Sequence, residues 1–134
     1  MSYLYLFFGT LPIVIIGDLL WLGVIAKSYY VTRLGHLMGP VVWPAALLFY
    51  LLYVVGIVYF VVLPQSTAGS TWATVAINGA LLGFFAYGTY DLTNWATLKD
   101  WPVSVVVLDM LWGACLTAFV SVVGFLLANH LFHG

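Results

Sequence analysis

Four long apolar runs, separated by short polar or glycine- and proline-bearing stretches, take up nearly the whole chain. They cover residues 3–26, 41–63, 72–98 and 102–129. Each is long enough, at about 1.5 Å per helical residue, to cross a hydrocarbon core of about 30 Å. Lys27 ends the first run, and a polar and aromatic connection, residues 28–39, follows with Arg33, His36 and a closing Gly39-Pro40. Pro44 falls in the first turn of the second helix, where its missing N–H costs little. Pro64 and the uncharged residues 65–71 form the second connection. The third break is Lys99-Asp100, with Asp100 as the expected N-cap of the last helix. That helix gives way near Asn129 to a short, frayed tail with His130 and His133. The pattern predicts an all-α fold, a single transmembrane bundle of four helices.

Composition removes the competing fold classes. Of 134 residues 65% are hydrophobic and 5% charged, and the mean hydropathy is +1.15, so no soluble domain could hide this surface. The lipid bilayer is the first partner. Three Lys/Arg against four acidic residues, all Asp, leave no basic face for nucleic acid. The lone Cys115 allows no internal disulfide and no Cys-x-x-Cys site, and is expected to serve packing. The first run lacks a basic leader and exceeds a signal-peptide core in length, so it reads as a retained helix.

Charge also orients the bundle. Lys27, Arg33 and Lys99 all lie in the first and third connections, which the positive-inside rule places in the cytoplasm, leaving both termini outside. Trp43, Trp72, Trp95 and Trp101 fall near helix ends, as interfacial anchors do.

The residues that need explaining are Asp18, Asp91 and Asp109, inside apolar runs where an ionised carboxylate costs about 2.5 to 3.5 kcal/mol at mid-bilayer. Counted from the end carrying the basic connections, Asp18 lies about 13 Å deep, Asp91 and Asp109 about 10 Å, and Tyr50 about 13 Å. All four helices can therefore offer a polar group to one layer in the cytoplasmic half. On the third helix Gly79, Gly83, Tyr87, Asp91 and Asn94 recur at steps of four or three, with Tyr90 beside them. The outer half of this stripe is a small-residue groove suited to close helix contact, and the inner half a row of hydrogen-bonding groups. Asp18-Leu-Leu-Trp21 and Asp109-Met-Leu-Trp112 each set an acid and an indole one turn apart, so Trp21 and Trp112 can both donate N–H groups to a carboxylate site. No Lys or Arg reaches that depth, since Lys27 snorkels outward. Three carboxyls without a counterion require protons, a bound cation or a cationic partner; alternatively they satisfy one another and only tie the helices together.

Catalytic motifs are missing: there is no His-Glu-x-x-His, no nucleophile elbow and no His cluster. No catalytic residue, metal site or cofactor can be named from the sequence. The expected function is that of a multi-pass membrane protein whose polar layer, Asp18, Tyr50, Tyr87, Tyr90, Asp91, Asn94 and Asp109 with Trp21 and Trp112, binds a proton, a cation or a small polar ligand for transport or sensing. The alternatives are a structural or accessory subunit that meets a membrane-protein partner or its own copies through the same aspartates, and a lipid-modifying membrane enzyme working through Tyr90, Asp91 and Asn94.

The run Tyr87-Gly-Thr-Tyr-Asp-Leu-Thr-Asn-Trp-Ala-Thr-Leu98, then Trp101-Pro102 and Asp109-x-x-Trp112-Gly113, resembles the bacterial domain-of-unknown-function family 2177. Asp18-x-x-Trp21, Leu34-Gly35 and Ala45-Ala-Leu-Leu-Phe-Tyr50 fit the same pattern, and the resemblance extends over the whole chain. It implies a small four-span protein of the bacterial inner membrane and supplies no activity.

Overall fold

A computed structural model describes residues 2–133, and among them every regular element is helical. Helix α1, Ser2–Leu20, passes through Pro12 and runs on as a π-helical turn, Trp21–Ile25. There the Ala26 N–H reaches back to the Trp21 carbonyl at 2.7 Å. This widened turn ends the long helix and lets the chain bend into α2, Lys27–Leu34. The segment that reads as a loop in the sequence is thus largely a two-turn helix. Helix α3, Trp43–Ile57, continues through a second π-helical turn, Val58–Val62, into α4, Leu63–Thr67. The expected break at Pro64 does not occur. The proline ring crowds the carbonyl four residues back, and that carbonyl lies inside the widened turn, where helical strain is released without ending the helix.

Helix α5, Trp72–Thr97, is capped by Thr71, whose Oγ1 accepts the Thr74 N–H at 3.4 Å. Helix α6, Val103–His133, completes the chain. Asp100 does not cap it. Asp100 adopts a left-handed backbone (φ 61°) in the tight turn before Trp101-Pro102, a conformation short polar side chains tolerate, and α6 begins after Pro102, whose carbonyl accepts from Val105 and Val106. The expected frayed tail is helical too, with His130 and His133 in the last turns of α6.

Three helical stretches, Ser2–Ile25, Trp43–Thr67 and Val103–His133, are long and apolar enough to cross a membrane. At 26 residues α5 matches them in length, but Asn78, Asp91, Asn94 and its threonines make it more polar. Helix α6 is central, packed along α5 and against α1, the Val58–Val62 turn and α4, while α3 lies against α1. Leu6, Val14, Val54, Ile57, Val62, Leu116 and Val120 form the main core. Polar residues lie inside with them, including Thr10, Thr117 and Ser121, all fully buried. Outside, Val24 (71% exposed), Phe60 (67%) and Phe85 (65%) face outward, the reverse of a water-soluble surface and the arrangement lipid requires.

Closest approach occurs between α5 and α6. A Cβ on Gly79 would lie 2.8 Å from Ser121 Cβ and 2.9 Å from the Thr117 carbonyl oxygen; one on Gly83 would collide with the Gly113 carbonyl oxygen. Gly113 in turn has the Tyr87 ring against its Cα, where any side chain would stand. Two sequence expectations fail at the periphery: Cys115 is exposed rather than packed, and Trp101 is buried (8% exposed) rather than anchored outside, unlike Trp43, Trp72 and Trp95.

Candidate ligand-binding site

The two Asp-x-x-Trp segments meet, one on α1 and one on α6. Their indoles stack nearly parallel, centroids 4.5 Å apart and planes 6° from each other. Each tryptophan serves the acid of the other helix. Trp112 Nε1 donates to Asp18 Oδ1 at 3.2 Å, and Tyr50 on α3 donates its hydroxyl to Asp18 Oδ2 at 2.6 Å. Trp21 Nε1 donates to the Tyr30 hydroxyl at 3.1 Å, which donates to Asp109 Oδ1 at 2.9 Å. Both carboxyls are buried, and hydrogen bonds to a charged group are worth about 1.5 to 3 kcal/mol each when desolvated.

Tyr30 is the residue the sequence reading missed. It belongs to α2, which the bend after Trp21–Ile25 folds back over the end of α1. Burial, ahead of any neighbouring charge, pushes its hydroxyl well above the ordinary tyrosine range, so it remains a proton donor throughout the physiological range. The available signal was the i, i+4 pair Tyr30 and Leu34, one face of a short helix; both residues line the cavity described below. Tyr53 and Thr117, linked at 2.6 Å between α3 and α6, were missed as well, because neither is unusual by type or spacing.

Asp91 occupies a different position. It is fully buried, it lies close to Asp109, and neither of its oxygens has a hydrogen-bond partner among the described residues. Two carboxyl groups in contact attract only with a proton shared between them or a cation bridging them. Asp91 therefore stands beside Asp109 and outside the cavity lining described below. Asn94 is half-buried and is not among the residues that line the cavity described below.

Beside these acids lies a cavity of about 410 Å³. It opens between α1, α2, α3, α5 and α6 at the end of the bundle that carries the first and third connections. Asp18 and Asp109 form its acidic wall, and Tyr30, Phe49, Tyr87, Tyr90 and Trp101 bring aromatic surface. Leu22, Leu34, Met38, Ala86 and Val105 complete an otherwise apolar lining. No Lys, Arg or His is among the lining residues. Arg33, the nearest basic residue in sequence to α2's inner face, is held elsewhere: its Nε donates to Ser104 Oγ at 3.1 Å and its guanidinium lies 3.6 Å over the Tyr29 ring. Of the expected site residues, then, Asp18, Asp109, Tyr87 and Tyr90 face the cavity; Tyr50, Trp21, Trp112 and Asp91 support its acids; Asn94 stands apart.

Tyr30→Phe removes the hydroxyl that joins Trp21 to Asp109 and keeps the ring. It is expected to destabilise the detergent-solubilised protein by about 1 to 3 kcal/mol, since an indole N–H and a carboxylate both lose a buried partner. Thermal unfolding with Tyr29→Phe as the control measures this, and equal midpoints for the two variants would dissolve the proposed linkage.

A family described as a predicted membrane protein family, DUF2177, has a model that matches residues 3–126, a stretch containing every side chain of the site. Comparison with curated proteins and with solved structures produced no match. With nearly its whole length matched, acid wall and α5–α6 contact included, the chain belongs to the DUF2177 family of predicted membrane proteins.

Proposed function

We propose that the chain forms a four-span bundle in the bacterial inner membrane, with α5 as the fourth span, and that it binds a proton, a cation or a small polar ligand at the Asp18–Asp109 wall for transport or sensing. The observation that carries this reading is the pairing of a sizeable cavity with two buried carboxyls and no basic residue in its lining. A purely structural polar layer calls for partners, which Tyr50, Trp112 and Tyr30 supply; it does not call for open space beside them. Asp91 supports the same reading, because its contact with Asp109 is one proton or one cation short of being satisfied.

The stacked Trp21 and Trp112 sit on these acids and make occupancy visible. Tryptophan emission of the purified protein should change between mildly acidic and mildly alkaline buffer, and Asp18→Asn with Asp109→Asn should flatten the response. A flat response in the parent would remove the proton- or cation-binding reading. Lys27, Arg33 and Lys99 set the orientation, with the cavity end in the cytoplasm and both termini outside. A reporter active only in the cytoplasm, fused after Gly134, should stay dark; a strong signal reverses the assignment.

A further inference from the structure

The cavity is poorly matched to a bare inorganic ion. Among the described residues no three His, Cys, Asp or Glu side chains converge to enclose a metal, and most of the cavity wall is hydrocarbon and aromatic ring, which cannot replace an ion's hydration shell. Its volume, about 410 Å³, is that of a site for a small organic molecule. Three features define that molecule. Carboxylates and tyrosine oxygens on the wall accept hydrogen bonds, so the polar head must donate them. Two acids with no basic residue in the lining ask for positive charge and repel an anion. Tyr30, Tyr87, Tyr90 and Trp101 bring aromatic rings to the space beside those acids, and aromatic rings attract ammonium groups most strongly where water is excluded.

We propose that the cavity binds a lipophilic organic amine in its ammonium form, the N–H donors directed to Asp18 and Asp109 and the apolar body lying against Leu22, Phe49, Ala86 and Val105. This rests on the reading of the acid wall as a ligand site and specifies the ligand's class. The unpartnered carboxyl of Asp91 adds a second contribution. Close to Asp109 and absent from the cavity lining, it can share a proton with Asp109 and so sets whether that acid is free to take an ammonium, without touching the ligand, which makes it a positioning residue.

Phenethylamine is a suitable probe, with phenethyl alcohol and phenylacetate as neutral and anionic counterparts of nearly the same shape. Titrated into the purified full chain in nonionic detergent and followed by calorimetry, the amine should bind saturably, the alcohol about tenfold more weakly or worse, and the acid not at all. Asp18→Asn and Asp109→Asn should each weaken the amine by about tenfold or more and leave the alcohol unchanged. Ala86→Phe fills the cavity without altering an acid and should abolish binding of both, so the test survives if an Asp variant fails to fold. Equal binding of amine, alcohol and acid, which is what partitioning into the micelle produces, overturns the proposal. So does undiminished amine binding in a folded Asp109→Asn or Ala86→Phe protein, or no amine binding to the parent. If the parent ignores the amine while its tryptophan emission still titrates, only the ligand class falls and the proton or cation site stands.

Discussion

Gly83→Ile is expected to destabilise the protein by about 3 kcal/mol or more, because it overfills a contact in which two helix backbones touch. Even the first atom of a new side chain is excluded: a Cβ at this position would meet the Gly113 carbonyl oxygen and would lie 2.6 Å from Thr117 Oγ1. Backbone cannot move aside as a flexible side chain can, so α5 and α6 must separate along much of their shared length. Gly83→Ala should therefore already be destabilising, although alanine is the better helix former. Gly56 provides the opposite case. It also lies within a helix, α3, but nothing stands within 4 Å of an added Cβ, and Gly56→Ala should stabilise by about 0.5 to 1 kcal/mol through helix propensity alone. Thermal unfolding in one detergent compares the three directly. A Gly83→Ala protein as stable as Gly56→Ala would show that the α5–α6 contact is not as close as its geometry indicates.

That contact also shows how much the sequence could reveal. The spacing of Gly79, Gly83, Tyr87 and Asp91 at helical intervals marks one face of α5, because small and polar residues stand out against a run of Leu, Phe and Ala. Its partner is not legible in the same way: Gly113 and Thr117 lie on a helix rich in small residues, and only the antiparallel hairpin geometry selects them. The shared depth of Asp18, Asp109 and Asp91 follows from counting residues at a fixed rise per turn. The crossed pairing, in which Trp112 serves Asp18 and Trp21 reaches Asp109 through Tyr30, does not. It depends on the π-helical turn at Trp21–Ile25, which has no proline to announce it, Gly23 being one glycine among several within the helices, and which leads into the α2 helix that carries Tyr30. Trp101 misleads for a related reason. A tryptophan beside a helix end normally marks the lipid interface, but Trp101, next to the left-handed Asp100, is buried and part of the cavity wall.

Asp91→Asn should leave the fold intact and change what the site responds to. In the parent, Asp91 lies close to Asp109 with no hydrogen-bond partner for either of its oxygens, and two buried carboxyls so placed call for a shared proton or a cation. Asparagine has the same shape and brings its own N–H donors. Its amide can donate to Asp109 permanently, and the dependence on an external proton or cation disappears from that contact. Stability should accordingly match or exceed the parent, since a like-charge hazard in a buried position is replaced by an ordinary hydrogen bond. Asp91→Leu makes the comparison sharper: it also removes the second acid but gives Asp109 no donor, leaving Tyr30 as its remaining hydrogen-bond partner, and should be the less stable of the two. The functional readout is separate from the structural one. If the acid wall binds a ligand, Asp91→Asn should fold and insert normally yet lose most of the pH response of tryptophan emission and weaken ammonium binding by a factor smaller than Asp109→Asn does, because it acts on the ligand only through Asp109. If the layer merely ties helices together, the variant should show the parent's pH response unchanged along with its equal or greater stability. Measuring unfolding midpoint and pH response on the same preparation separates these cases, and a stable Asp91→Asn protein with an unaltered response would remove Asp91 from the site.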